Sequence, residues 1–270
     1  MRLPPVRHRP VIKAAADLVA ALGIRAPAEI DIELIAAHCG AIVEYKPLTT
    51  EEGRLLRIGS TGLIVVNTDA RRTAKWRFVV AHELGHFRCH QQLDQLGLCT
   101  DESLHEWYQA SGYEPEANRF AAELLMPEVL FKKACDVKRP SLNVVRQLAT
   151  SYNTSLTATA LRFVEFSPEP VALVVCREGR IAWFSKGDDF KIFLSKGQRV
   201  ANATYAADLL AGREVPEDIA DVAVDAWSSG QFPPAVELYE QSTVVGQYGD
   251  VVTLLWHSGL GQEDDDDRAE

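Results

Sequence analysis

The apolar positions of residues 11–22, VIKAAADLVAAL, recur at the three-to-four-residue spacing of an amphipathic helix. The same spacing over 28–38, AEIDIELIAAH, predicts a second helix that ends near Gly40. From 41 to 67 the pattern changes to short apolar runs, AIVEY and GLIVVN, set off by polar turns such as TTEEG and GSTG, which predicts a small sheet. Thr68 or Asp69 stands where a cap is needed for a long helix running to about Leu93. A polar, irregular stretch follows, then a helix in EPEANRFAAELLM that Pro127 helps to end. Two further helices, SLNVVRQLATS and SLTATALRFVEF, meet at Tyr152-Asn153-Thr154 in the manner of a helix-turn-helix. After SPEP at 167–170, which reads as a linker, VALVVC, GRIAWF, AVELYEQSTVV and DVVTLLWH read as strands around a helix near 202–212. The expected organisation is α+β throughout: residues 1–130 as helices with a small sheet, 131–166 as a helix-turn-helix-like pair, 167–258 as a separate α+β domain and 259–270 as a tail.

Composition narrows the picture. At 270 residues and 47% hydrophobic content the chain can bury a substantial core. It holds no apolar run of membrane-spanning length, and its N-terminus, MRLPPVRHRP, lacks the apolar block of a secretory signal, so a cytoplasmic protein away from the membrane is expected. Five cysteines (Cys39, Cys89, Cys99, Cys135 and Cys176) at irregular spacing fit neither a disulfide framework nor a thiolate cluster and read as reduced, mostly buried thiols.

The formal net charge is −10, and the closing GQEDDDDRAE is expected to stay disordered. Such acidity argues against a protein whose main task is gripping nucleic acid. Residues 131–162 are locally basic, with Lys132, Lys133, Lys138, Arg139, Arg146 and Arg162 against Asp136, a balance of 6 − 1 = +5. In the helix pair, however, Asn153 stands where a helix-turn-helix usually has Gly, and Thr154 and Thr159 stand at usually apolar positions. With no base-reading set of side chains evident, a structural pair is expected rather than a DNA reader.

The candidate chemistry lies in VVAHELGHFRCH, residues 79–90. Four residues advance a helix by about 400°, so His82 and His86 leave one face a turn apart and both imidazoles can bind one zinc ion. Glu83 then stands beside the metal without ligating it, the place of a general base acting on water. A chance pair of histidines in a core helix is the bland alternative. WRFVVAHELGHF is apolar nearly all round, and a buried helix should not carry two histidines and a glutamate without partners or a metal to offset their desolvation.

A catalytic zinc needs a third protein ligand and an open position. His90, Glu114 and Glu116 are the candidates. For His90 to join, one straight helix would have to spread three ligands over two turns, about 12 Å, so His90 reads as a supporting residue. On a helical wheel Glu114 shares its side with Ala117, Asn118, Ala121, Leu124 and Leu125, whereas Glu116, Arg119 and Glu123 fall on the other side at the spacing of an exposed charge ladder. Glu114 is therefore the expected ligand, with Pro115 marking it as the helix's first residue and Asn118 one turn on, placed to hold a ligand histidine. Tyr113, Tyr108 and His105 are candidate donors to an oxyanion, and Trp76 and Phe78 read as core.

AHELGHFRCH followed by EPEANRFAAELLMP resembles the ImmA/IrrE family of bacterial metallopeptidases, whose pattern is HELGH, often with a further histidine four residues on, then ExxANxFAAxLLMP. GLIVVNTDARRTAKWRFVV resembles that family's entry into the active helix, and the likeness covers residues 10–130 well. It implies a zincin-like metallopeptidase domain in which His82, His86 and Glu114 hold Zn2+ and Glu83 is the base; two imidazoles and a carboxylate also accept Mn2+ or Fe2+. It further implies a substrate, a helix-turn-helix repressor whose cleavage derepresses stress-response, mobile-element or toxin–antitoxin genes. In some relatives the C-terminal domain resembles a GAF sensor, which implies a sensor-like role for residues 167–258. Two rival readings stand beside this one: a regulator that sequesters its repressor uncut, and a DNA-binding regulator with a structural metal. Glu83 speaks against the last, because a closed structural site has no use for a carboxylate there.

Overall fold

The computed structural model describes residues 9–69, 75–90, 112–228, 230, 236–246 and 249–258. Packing divides the chain into two compact units, one of Arg2–Lys133 with Leu148–Ala158, the other of Ala134–Gln147 with the chain from Thr159 onward. The helix pair is thus shared out between the units.

In the first unit α1 (Arg9–Ala21) buries Val11, Ala15, Leu18 and Val19, the stripe that its periodicity predicts. The helix expected over 28–38 is broken: Pro27–Glu29 forms a single 3-10 turn, and α2 (Ile32–His38) begins only after Asp31. Asp31 is extended (φ −89°, ψ 102°), and its carboxylate accepts hydrogen bonds from the backbone N–H groups of Glu33 and Leu34, both at 3.1 Å. This local cap outweighs the apolar spacing that would carry a helix through it. Asp31→Ala is expected to cost about 1 kcal/mol, readable as a lower denaturation midpoint at unchanged slope.

Three strands follow, β1 (Ala41–Lys46), β2 (Gly53–Ile58) and β3 (Thr61–Asn67), in the order β1-β3-β2. β1 runs parallel to β3 and β2 antiparallel to it, so that Val43 and Leu55 both lie opposite Ile64. Central β3 buries Ile64, Val65 and Val66 in succession, as a strand covered on both faces does.

Helix α3 (Lys75–Cys89) is buried at every position from Val79 to Phe87. It stops short of the predicted Leu93: His90, no longer helical, still donates its N–H to the His86 carbonyl at 3.0 Å. Residues 70–74 separate Lys75 from the expected cap at Thr68 or Asp69 and lie outside the described residues, as do 91–93.

Helix α4 (Tyr113–Leu125) starts one residue before Glu114, and Pro115 sits in its first turn, where a missing N–H breaks no helical bond. α5 (Glu128–Ala134) follows. The exposed ladder read along α4 is corrected at all three members, Glu116 and Arg119 being partly buried and Glu123 buried. Glu123 is 3% exposed and accepts the Glu128 N–H at 3.1 Å, so its carboxylate caps the start of α5. Glu116 is partly buried against His90.

Helices α6 (Leu142–Tyr152) and α7 (Leu156–Phe166) are joined through Asn153, whose φ of 49° is the left-handed conformation that Asn tolerates. Thr154 and Thr159 are buried, and Thr154 Oγ1 donates to Met126 Sδ at 3.7 Å. The turn is also held from α3: the buried Arg77 guanidinium donates to the carbonyls of Tyr152 (2.5 Å), Asn153 (3.1 Å) and Ile30 (2.6 Å).

The second unit is built on a five-stranded antiparallel sheet of β4 (Val171–Arg177), β5 (Arg180–Lys186), β6 (Ala220–Val222), β7 (Leu238–Val245) and β8 (Asp250–His257), ordered β5-β4-β8-β7-β6. Glu178 and Gly179, at φ 50° and 72°, make the tight β4–β5 turn. Short helices α8 (Tyr205–Leu210) and α9 (Val224–Trp227) add Ala206 and Trp227 to a core with Phe190, Leu238 and Leu255. The expected acidic tail lies outside the described residues. Cys39, Cys89, Cys135 and Cys176 are free thiols, the last two buried. No helix among the described residues is long and apolar enough to cross a membrane.

Candidate metal centre

The centre forms where α3 and α4 pack closely. An added Cβ on Gly85 would come within 3.1 Å of the Phe120 Cβ, so the glycine inside HELGH lets the two helices approach. One turn apart on α3, His82 and His86 bring their Nε2 atoms to 3.0 Å, with ring centroids 4.7 Å apart. From the first turn of α4, Glu114 reaches His82 Nε2 with Oε2 (3.1 Å) and His86 Nε2 with Oε1 (3.3 Å). Among the described residues these three form the His/Cys/Asp/Glu group able to hold a metal.

The donor set fits a small divalent cation. Two ligand atoms held about 2.0–2.1 Å from one ion at a tetrahedral angle lie about 3.3 Å apart, close to all three separations seen. His82 Nδ1 donates to Asn118 Oδ1 at 2.8 Å, which leaves the Nε2 lone pair turned toward the centre. Burial pushes the His86 imidazole down to about 4. Burial by itself would raise the Glu114 carboxyl, but the His82 and His86 imidazoles beside it more than offset it and hold the group below the usual carboxylate range. A neutral imidazole and an ionised carboxylate are the forms that ligate metal. Both histidines are buried, and Glu114 Oε2, which faces His82, is buried with them although the side chain as a whole is 31% exposed.

Glu83 is 1% exposed. Its carboxylate lies beside the start of β2, where a Cβ on Gly53 would stand 3.4 Å from Glu83 Oε1 and 2.3 Å from Val79 Cγ1. Nothing in the sequence singles out Gly53, since the contact joins a strand end to a helix far along the chain. Gly53→Ala must displace Val79 in a buried helix or lift β2 away. The expected loss is about 1–3 kcal/mol, read as a lower melting temperature.

The other predicted residues are placed as follows. His90 is buried, 2.9 Å by Nδ1 from His86 Nδ1 and 3.0 Å by Nε2 from Glu116 Oε2. Tyr113 is 53% exposed and packs its ring edge-on to His90. Tyr108 and His105 lie outside the described residues. Trp76 and Phe78 are partly buried against the first unit's core.

Residues 36–164 match the Peptidase_M78 family, described as the IrrE N-terminal-like domain. Over 168 residues the chain is 27% identical to the radiation response metalloprotease IrrE of Deinococcus radiodurans, a match covering 61% of this chain and 49% of that protein. The chain therefore spans about half the length of this curated relative. A solved structure of a Mycobacterium tuberculosis transcriptional regulator has the same fold, with a TM-score of 0.56 at 15% identity over 94% of this chain and 90% of that one.

Proposed function

We propose that this chain, which belongs to the ImmA/IrrE family of metallopeptidases through its IrrE N-terminal-like domain, is a zinc-dependent endopeptidase that cuts a helix-turn-helix transcriptional repressor. The observation that carries the reading is the convergence of His82, His86 and Glu114 at ligand spacing, with the buried Glu83 next to His82 in α3. A divalent cation on those three residues supplies Lewis acidity to the scissile carbonyl and acidifies water. Glu83 takes the proton of the attacking water and returns it to the leaving amine, so one carboxylate serves as base and then acid. Gly53, lacking a side chain, lets the start of β2 lie close against Val79 and Glu83. β2 is an edge strand of its sheet and carries the exposed side chains of Leu56 and Ile58, which suits an extended substrate segment laid along it.

The repressor substrate rests on the family resemblance, and the relative's name, a radiation response metalloprotease, supports a role in stress response. The rival reading of a DNA-binding regulator has little to stand on. Of the six cations counted near the helix pair, Arg162 is 2% exposed, pairs with Glu165 at 2.9 Å and stacks over Phe166; Lys132 pairs with Glu128. The two buried threonines and the Arg77 clamp on the turn give the pair a structural purpose.

The test is to incubate the zinc-loaded chain with the helix-turn-helix repressor encoded nearest its gene and to read intact masses. One new cut, lost on chelation, is the expected result. A stable complex with no cut would replace this reading with sequestration, and zinc-dependent operator binding with no cut would replace it with DNA regulation. Mn2+ and Fe2+ in place of Zn2+ identify which ion supports the cut.

A further inference from the structure

The second nitrogen of each histidine in the centre has a different partner. His82 Nδ1 meets Asn118, whereas His86 Nδ1 meets another imidazole, that of His90, at 2.9 Å. Two imidazole nitrogens facing each other leave it open which one carries the proton. The far end of the chain settles it. His90 Nε2 lies 3.0 Å from Glu116 Oε2, and an ionised carboxylate only accepts, so His90 is protonated at Nε2. A neutral His90 then offers a lone pair at Nδ1, His86 donates to it from its own Nδ1, and His86 Nε2 is left unprotonated, facing His82 Nε2 and Glu114. Free histidine in water favours the opposite tautomer, with its proton on Nε2, which would block ligation from that atom.

We propose that Glu116 is a positioning residue for the metal centre: acting through His90, it sets the tautomer of His86 and so presents the His86 Nε2 lone pair to the ion. The proposal rests on the reading of His82, His86 and Glu114 as the metal site. It explains why the first turn of α4 departs from an exposed charge ladder at Glu116, whose side chain is 21% exposed, and why His90 is 5% exposed just past the end of α3. Tyr113 packs edge-on to the His90 ring, 4.8 Å between centroids, and limits its rotation. α4 thus presents Glu114 to the ion, Asn118 to one ligand histidine and Glu116, through a relay, to the other. Hydrogen-bond partners of this kind commonly change metal affinity by about 10–100-fold.

Two readouts test it on the full chain. Long-range 1H–15N NMR of the metal-free protein is expected to show His86 protonated at Nδ1 and His90 at Nε2, and Glu116→Leu is expected to return His86 toward the Nε2–H form. Zinc affinity by chelator competition is expected to fall about 10–100-fold in Glu116→Leu and in His90→Phe, and to stay within about threefold of wild type in Glu116→Gln, whose amide oxygen still accepts from His90. Rescue by Gln separates the relay from a general loss of packing, and melting of each metal-free variant checks its fold. A wild type with His86 protonated at Nε2, or a Glu116→Leu chain that binds zinc as tightly as wild type, overturns the proposal alone. A wild type that binds no zinc overturns the metal-site reading and the proposal with it.

Discussion

Glu83→Gln is expected to lower the rate of repressor cleavage by about 10²–10⁴-fold while leaving zinc content and melting temperature near wild type. The size follows from the task. Removing the base takes away the proton transfer that makes water a nucleophile and then expels the amine, while ligand set and substrate contacts stay in place. Gln keeps the shape of Glu in a space bounded by Val79 and β2, so neither helix nor strand needs to move. Single-turnover cleavage followed by intact mass, with zinc counted in the same samples, separates a lost base from a lost metal. Unaltered cleavage by this variant would remove Glu83 from the chemistry and take the general-base role with it.

Glu114→Ala acts at the other half of the site and is expected to lose both metal and activity. Two histidines four residues apart remain, but removing a direct ligand should weaken zinc binding beyond the roughly 10–100-fold typical of supporting partners. Linkage turns this into a stability measurement. At free zinc near 100 times the wild-type Kd, binding stabilises the native chain by about 2.7 kcal/mol. A variant that binds 100-fold more weakly keeps only about 0.4 kcal/mol of this by the same relation. For a protein of this size each kcal/mol shifts the melting temperature by about 2–4 °C, so zinc should raise the wild-type midpoint by roughly 5–11 °C and the Glu114→Ala midpoint by no more than about 2 °C. Equal zinc-induced shifts in both proteins would show that Glu114 is not a ligand.

The centre was legible in the sequence where its geometry is local. His82, Glu83 and His86 are fixed by one turn of one helix, and the wheel that turned Glu114 and Asn118 inward on α4 reads a single helix too; the structure brings the three ligand candidates to 3.0–3.3 Å and Asn118 to His82. The same wheel sent Glu116 and Glu123 to solvent, because periodicity within a helix cannot see partners supplied from outside it. Glu123 meets the backbone of the next helix, and Glu116 meets a histidine 26 residues earlier. The role of Arg77 leaves no local sequence signal for the same reason: its carbonyl partners lie 47 and 75–76 residues away. In the fold, α2 starts late because Asp31 caps it against the apolar spacing, and β2, β6 and α9 are too short or too closely bracketed by turns to stand out as patterns.

The most direct test of the central claim is a crystal structure of the zinc-loaded chain with anomalous diffraction collected at the zinc edge. The expected result is one ion bound by His82 Nε2, His86 Nε2 and a Glu114 oxygen at about 2.0–2.2 Å, with its remaining position filled by solvent on the side of Glu83. An ion closed off by a fourth protein ligand, or anomalous density away from these three residues, would contradict a catalytic centre.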